Sequence, residues 1–188
     1  MTGGEGIPRR QATGDGLGIP EFRNFRREET MERILIVCQH NSARSQMAEA
    51  YLKQEGGDRF EVESAGFEPT AINPLVVQVM KEEGIDLAGK TTQSVFDLFK
   101  AGKIFAYVIT VCAPDQEDLC PIFPGIVTRL HISFPDPAKL EGTTEEKLAQ
   151  LREIRDNIKK SMKAFVDWTR KEGPDVPGPD WTKSKPGR

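Results

Sequence analysis

Apolar and polar residues follow two different periodicities along the middle of the chain. Short apolar or alternating runs predict β-strands at residues 33–37, 60–64, 105–111 and 127–133. Apolar residues that recur every three or four positions predict helices at residues 44–54, 73–84 and 94–100, and a long one from residue 143 onwards. The run RILIV at 33–37 is apolar without alternation, which is typical of a strand buried on both faces.

Capping residues mark the starts of two of these helices. Asn73 followed by Pro74 combines an N-cap with a proline at the first helical position. Thr143 with Glu146 is a capping box that opens the last helix. We interpret the apolar stripe of this last helix as core packing.

Strands and helices that alternate in this way predict an α/β fold, with a four-stranded, mostly parallel sheet flanked by helices. In such sheets, ligand-binding and catalytic sites form at the carboxyl ends of the strands. Cys38 follows the first strand, Cys112 the third and Asp136 the fourth. The sequence therefore predicts that these three side chains meet at one edge of the sheet.

The two ends of the chain differ in composition from its middle. Residues 1–30 are rich in glycine and proline and lack apolar periodicity, so we expect a disordered N-terminal extension. Residues 173–188 have a similar composition and predict a flexible C-terminal tail. The domain that carries the chemistry is expected to span residues 31–172.

Charge and cysteine content narrow the class of protein. A net charge of −3 and a pI of about 5.6 offer no basic surface for nucleic acid. No apolar stretch has the length of a membrane span, and no secretory signal is evident. Three cysteines are an odd number, which favours the reducing cytoplasm over a fixed disulfide framework. We expect a cytoplasmic monomer that contacts neither nucleic acid nor membrane.

The stretch CQHNSARS, residues 38–45, predicts a site for a tetrahedral oxyanion. A loop between a strand and a helix points its backbone N–H groups inward, with the helix N-terminus behind them. Arg44 adds a planar fork for two oxygens, and Cys38 lies at the floor as a thiolate nucleophile to which Ser45 can donate a hydrogen bond. The residues expected to form the oxyanion cradle are Gln39, His40, Asn41, Ser42, Ala43 and Arg44.

The segment CQHNSARSQMAEA, the Ser64-Ala65-Gly66 after the second strand and the DPA at 136–138 resemble the thioredoxin-coupled arsenate reductases of the low-molecular-weight protein tyrosine phosphatase superfamily. The resemblance covers about residues 31–170 and implies the phosphatase-like fold. It implies that Asp136 is the general acid. It also implies a relay in which a Cys38–Cys112 disulfide is exchanged for a Cys112–Cys120 disulfide, which thioredoxin then reduces. No bound cofactor is expected.

Two other functions stay open from the sequence. A phosphatase would use the same loop and acid to hydrolyse a phosphocysteine with water, and it would need no second thiol. Such phosphatases usually carry an aromatic residue directly after their Asp-Pro pair, where this chain has Ala138. If the protein is a reductase, phosphate and sulfate are expected to compete with arsenate for the loop. A non-catalytic protein could instead bind arsenite through its three thiols. The cysteines lack the paired C-x2-C spacing that is typical of structural zinc sites.

Some members of the superfamily bind potassium near the loop, and this chain matches their ligands only in part. Asn41, Glu49 and Ser64 fit three of the positions. The fourth falls near Gln93, with Asp97 further on, so the resemblance predicts at most an incomplete potassium site and no other metal.

Overall fold

The computed structural model describes residues 31–112, 121–125 and 127–170. The predicted N-terminal extension, the predicted C-terminal tail and Cys120 lie outside the described residues.

The described chain contains the strands and helices that the hydrophobic pattern predicts. The strands are β1 (Glu32–Cys38), β2 (Phe60–Gly66), β3 (Tyr107–Thr110) and β4 (Thr128–His131). The helices are α1 (Arg44–Gly56), α2 (Pro74–Glu82), α3 (Val95–Lys100) and α4 (Thr144–Arg170). Short 3₁₀ turns lie at Gly57–Arg59 and Pro137–Lys139. Strands β3 and β4 are shorter than predicted because they pair over four residues only.

Both predicted helix caps are present. The Asn73 side chain accepts a hydrogen bond from the Leu75 amide at the start of α2. Before α4, the Thr143 amide donates to the Glu146 carboxylate at 2.8 Å, and the Glu146 amide donates to the Thr143 hydroxyl at 3.3 Å. These reciprocal bonds satisfy donors that a helix start otherwise leaves open.

The four strands form one parallel sheet in the order β2-β1-β3-β4. Because β1 lies inside the sheet and is covered on both faces, its residues are buried from Ile34 to Cys38. The register pairs Cys38 with Gly66 on β2 and Val37 with Thr110 on β3. The carboxyl ends of these strands therefore meet at one edge, as predicted, and the α/β fold is confirmed.

The sheet separates two apolar clusters. Helices α1, α2 and α4 pack on one face together with alternate β1 residues, which are Ile34, Ile36 and Cys38. The other face holds α3 and the intervening β1 residues Leu35 and Val37. Within the described part of the chain, no helix is both long enough and apolar enough to cross a membrane.

The apolar stripe of α4 generates a stability prediction. Ile158 is fully buried against the first face of the sheet, so Ile158→Ala should lower the free energy of unfolding by about 2–5 kcal/mol. Urea denaturation measures the change. The exposed Lys160 on the same helix provides the control, since Lys160→Ala should change stability by about 0.5 kcal/mol or less. Equal effects of the two variants would contradict the packing role of the stripe.

Candidate active site

The loop between β1 and α1 is held from outside by a second segment, residues 67–73. Four backbone N–H groups of this segment donate to four loop carbonyls, with N–O distances from 2.9 to 3.2 Å. The donors are Phe67, Glu68, Thr70 and Asn73, and the acceptors are Cys38, Gln39, His40 and Ser42. Because the carbonyls turn outward to these donors, the loop is left with its amides facing the enclosed side.

The inner side of the loop is arranged for negative charge. The Asn41 amide donates to Cys38 Sγ at 3.1 Å, and its φ of 52° lies in the left-handed region that asparagine tolerates better than most residues. The amides of Ser42 and Ala43 have no hydrogen-bond acceptor among the described residues. No side chain caps the N-terminus of α1, and its first turn carries no acidic residue. These donors are available to an oxyanion beside the sulfur.

Gly66 lets β2 approach the loop closely. A Cβ atom at this position would lie 2.7 Å from the Asn41 amide nitrogen and 2.9 Å from the His40 carbonyl carbon. Both are backbone atoms that cannot move aside without breaking the curl of the loop. The glycine of the Ser64-Ala65-Gly66 motif is therefore required by this close backbone contact.

A directed chain of hydrogen bonds leads to the Cys38 thiol. The Asn41 side-chain amide donates to the Ser45 and Ser64 hydroxyls, both at 2.9 Å. Since the Ser45 oxygen already accepts this bond, its own hydrogen can be directed to Cys38 Sγ, 2.9 Å away. The Ser45 hydroxyl and the Cys38 sulfur are therefore in hydrogen-bond contact, in a geometry that lets Ser45 donate to the sulfur as the sequence suggests.

Arg44 and Asp136 come together although they are far apart in the sequence. Arg44 is buried, donates to the Phe134 carbonyl at 3.2 Å and forms an ion pair with Asp136 at 3.0 Å. The other Asp136 carboxylate oxygen accepts from the Ala138 amide at 3.0 Å. The guanidinium is therefore oriented by the segment that follows β4 and brings Asp136 to the oxyanion loop.

The side chains of Gln39 and His40 point to the segment outside the loop. Gln39 Nε2 donates to the Glu68 carboxylate at 3.2 Å, and His40 Nδ1 lies 3.1 Å from the Glu68 carbonyl oxygen. These two residues can serve the cradle through their backbone only. The imidazole at this loop position is thus a second anchor between the loop and residues 67–73.

Cys112 lies at the sheet edge where the sequence places it, on the opposite face of the sheet from Cys38. It follows β3, whose Thr110 pairs with Val37 of β1. Cys112 is fully buried in the apolar cluster that contains α3, whereas Cys38 belongs to the cluster on the opposite face. The two sulfur-bearing residues therefore share an edge and are separated by the sheet.

The predicted potassium ligands are occupied by other partners. Glu49 Oε1 lies 2.6 Å from the ammonium groups of both Lys53 and Lys90, and Glu49 Oε2 accepts from Ser64 Oγ at 2.5 Å. Gln93 turns its amide nitrogen to the Ser64 carbonyl at 2.9 Å, so this position supplies a donor where a cation needs an oxygen. The residues present do not fit a potassium ion, and Asp97 is exposed on α3.

The same contacts set the charge state of Glu49. Burial by itself raises the pKa of this carboxyl, but hydrogen bonds from Lys53, Lys90 and Ser64 outweigh it, so the pKa lies below its ordinary value. Glu49 is therefore a carboxylate at neutral pH. In the described residues, no group of three or more histidine, cysteine, aspartate and glutamate side chains is arranged to hold a metal.

Sequence reasoning missed the residues that support Asn41. Its side-chain oxygen accepts from the Gln93 amide at 3.0 Å and from Gln46 Nε2 at 3.3 Å. Lys53 could have been found from its i,i+4 spacing to Glu49 on one helix. Lys90 carries no such signal because it lies on the segment before α3, which reaches the loop only in the folded chain. The resemblance pointed to Gln93 as a potassium position and not as a partner of Asn41.

The parallel sheet and the loop that encloses the Cys38 thiol together define a class of protein. Comparison of the sequence with known protein families identifies this class. The profile described as "Low molecular weight phosphotyrosine protein phosphatase" matches residues 33–175. The chain therefore belongs to the low molecular weight phosphotyrosine protein phosphatase family.

Particular relatives within this family are arsenate reductases. Those of Halalkalibacterium halodurans and Bacillus subtilis are each 42% identical to this chain over 135 residues, which is 71% of this chain and 94% of either relative. The crystal structure of an arsenate reductase from Archaeoglobus fulgidus is similar at a TM-score of 0.55 and 28% identity, over 71% of this chain and 98% of that one. The predicted resemblance to the arsenate reductases of this superfamily is confirmed.

The contact at Gly66 predicts a large effect of adding one methyl group. Gly66→Ala should destabilise the protein by about 1–3 kcal/mol and reduce phosphate binding, because the loop backbone must shift. Thermal melting with and without phosphate measures both effects. Gly89 provides the control, since a Cβ there meets nothing within 4 Å and Gly89→Ala should leave both unchanged. Normal phosphate binding by Gly66→Ala would contradict the close-contact role.

The Ser45 hydroxyl should control the reactivity of the thiol. Ser45→Ala removes a hydrogen bond to sulfur, so alkylation of Cys38 by iodoacetamide at neutral pH should slow about tenfold. Mass spectrometry of the Cys38 peptide measures the rate. Ser94→Ala, at the half-buried N-cap of α3, is the control and should alkylate at the wild-type rate. An unchanged rate in Ser45→Ala would show that the hydroxyl does not stabilise the thiolate.

Proposed function

We propose that this protein is an arsenate reductase that converts arsenate to arsenite through a thiolate–arsenate adduct and a three-cysteine relay regenerated by thioredoxin. The observation that carries the proposal is the position of Cys112, a second cysteine at the same sheet edge as the Cys38 nucleophile. The arsenate reductases that are 42% identical support the substrate.

In the first step, arsenate enters the loop and takes the place of Asp136 on the Arg44 guanidinium. The Cys38 thiolate attacks arsenic, and one arsenate oxygen leaves as water with a proton that Asp136 supplies. The new bond joins Cys38 sulfur to arsenic, which is still pentavalent. The loop amides and Arg44 stabilise the charge on the remaining oxygens.

In the second step, the Cys112 thiolate attacks the sulfur of Cys38. The electron pair of the sulfur–arsenic bond passes to arsenic, which leaves as trivalent arsenite, and a Cys38–Cys112 disulfide forms. Cys120 then attacks Cys112, which releases the Cys38 thiolate and leaves a Cys112–Cys120 disulfide. The dithiol of thioredoxin reduces this disulfide and supplies the two electrons that arsenic received.

The second step requires a change of structure. Cys112 is packed on the α3 side of the sheet, and Cys38 on the side of α1 and α4. We therefore expect Cys112 to move around the end of β3 before its sulfur reaches Cys38. The placement of the two thiols on opposite faces of the sheet would then disfavour a disulfide before arsenate has reacted.

Further features belong to the same proposal. A relay that starts from three thiols needs a reducing compartment, so we place the reaction in the cytoplasm. The catalytic domain spans residues 31–172 and acts as a monomer, with the two terminal segments outside it. Phosphate and sulfate compete with arsenate because they share its tetrahedral shape and charge.

A phosphatase is the second candidate, because the family description, the loop and the Arg44–Asp136 pair fit phosphomonoester hydrolysis equally well. The residue after Asp136-Pro137 argues against a phosphotyrosine substrate. Ala138 has no ring to stack on an aromatic leaving group, so the rim of the site suits a small inorganic anion better.

One comparison tests the relay against this alternative. Wild type should consume NADPH with arsenate, thioredoxin and thioredoxin reductase, and Cys112→Ser and Cys120→Ser should fall to background because each breaks the relay. Hydrolysis of an aryl phosphate is the internal control, since it needs only the loop and Asp136 and should survive in both variants.

Other outcomes of this assay decide between the functions. Arsenate turnover that persists in Cys112→Ser would refute the relay. Strong aryl phosphate hydrolysis without arsenate turnover in wild type would identify a phosphatase. Tight arsenite binding by wild type without either activity would identify a binding protein.

A further inference from the structure

Lys90 bridges two parts of the molecule at the Glu49 carboxylate. Its ammonium lies 2.6 Å from Glu49 Oε1, although the two residues are 41 positions apart in the sequence. The Glu49 side chain is 8% exposed and that of Lys90 31% exposed, so this ion pair is shielded from water more than the Lys53–Glu49 pair, in which Lys53 is 51% exposed. This shielding strengthens the attraction between the two charges, so that losing the Lys90 ammonium beside Glu49 should cost folding free energy.

The carboxylate that Lys90 neutralises begins the hydrogen-bond chain that ends at the nucleophile. Ser64 donates to Glu49, Asn41 donates to Ser64 and to Ser45, and Ser45 lies against the Cys38 sulfur. Every step of this chain lies between 2.5 and 2.9 Å. The position of the Glu49 carboxylate therefore sets the direction of the bonds around the thiol.

Lys90 also fixes the segment that supports the loop from behind. The neighbouring Thr91 carbonyl accepts from Gln46 at 3.4 Å, and the Gln93 amide donates to the Asn41 side chain at 3.0 Å. An ammonium anchored on Glu49 ties this segment to α1 at the point where both contact Asn41.

We propose that Lys90 is a positioning residue that supplies the positive charge behind the oxyanion loop, and that the loop is consequently independent of potassium. The tethered ammonium replaces a monovalent cation: it neutralises Glu49 and leaves Ser64 bonded to that carboxylate. The Asn41 oxygen is held by Gln46 and Gln93, which leaves it unavailable to an ion.

The surroundings of the pair make this inference testable. A cleft of about 310 Å³ opens beside Glu49 and is lined by both lysines, Ser64 and Gln93. Once the Lys90 ammonium is removed, water and small cations can reach the vacated place on the carboxylate. A variant without this ammonium should therefore acquire a response to potassium that the wild type lacks.

The experiment uses the reduced full-length chain without arsenate, so its result does not depend on the reductase proposal. Melting temperature and the rate of Cys38 alkylation are measured in potassium chloride and in choline chloride at equal ionic strength. Wild type should give the same values in both salts. Lys90→Gln should melt about 3–6 °C lower in choline and recover at least half of the loss in potassium.

Alkylation should follow the same pattern, because Glu49 then keeps only one of its two ammonium partners and the hydrogen-bond chain from Ser64 to the sulfur is held less firmly. The rate in Lys90→Gln should fall about threefold in choline and return toward wild type in potassium. Lys90→Arg keeps the charge and should behave as wild type in both salts.

Lys103→Gln is the matched control, since Lys103 is 33% exposed and pairs at 2.6 Å with Glu63, which lines the same cleft but lies outside the hydrogen-bond chain that leads to the sulfur. It should lose some stability without any difference between the two salts and without slower alkylation. A potassium-specific stabilisation of wild type would overturn the proposal. So would Lys90→Gln showing no recovery in potassium, or Lys103→Gln showing the same recovery.

Discussion

The Asn41 side chain is the contact on which the site depends. It is fully buried, and its amide donates to two serines while its oxygen accepts from two glutamine nitrogens, so each of its hydrogen-bonding groups is used. The same residue holds the left-handed backbone turn that brings its amide to the Cys38 sulfur. A buried side chain whose hydrogen-bonding groups are all used favours one loop conformation over its alternatives, since a rearrangement would leave one of these groups without a partner.

This network is enclosed between two charged pairs with different tasks. On the side of the oxyanion loop that faces β4, Arg44 pairs with Asp136. On the far side, Glu49 pairs with Lys90. The two pairs therefore fix the loop from both sides, and the hydrogen bonds behind the sulfur are already oriented, an arrangement of the kind that suits a bound anion.

The sheet gives the two cysteines separate environments. Alternate residues of neighbouring strands face opposite layers, so Cys38 and Cys112 are close along the edge and yet lie in different apolar clusters. The Cys38 thiol is therefore enclosed by its loop on one face, while the Cys112 thiol is packed separately on the other.

The sequence alone determined what depends on near neighbours along the chain. The buried strand, the small residues that follow it, the helix after Arg44 and the caps at Asn73 and Thr143 all follow from local pattern. Parallel topology then brings the strand ends, with Cys38 and Cys112, to one edge.

Only the tertiary structure decided which faces Cys38 and Cys112 occupy, how residues 67–73 turn the loop carbonyls outward, and that Lys90 meets Glu49. The face of the sheet to which a side chain points depends on the strand register, because a shift of one residue turns every side chain to the opposite face. The other contacts join segments more than 20 positions apart, and no periodicity in the sequence records them.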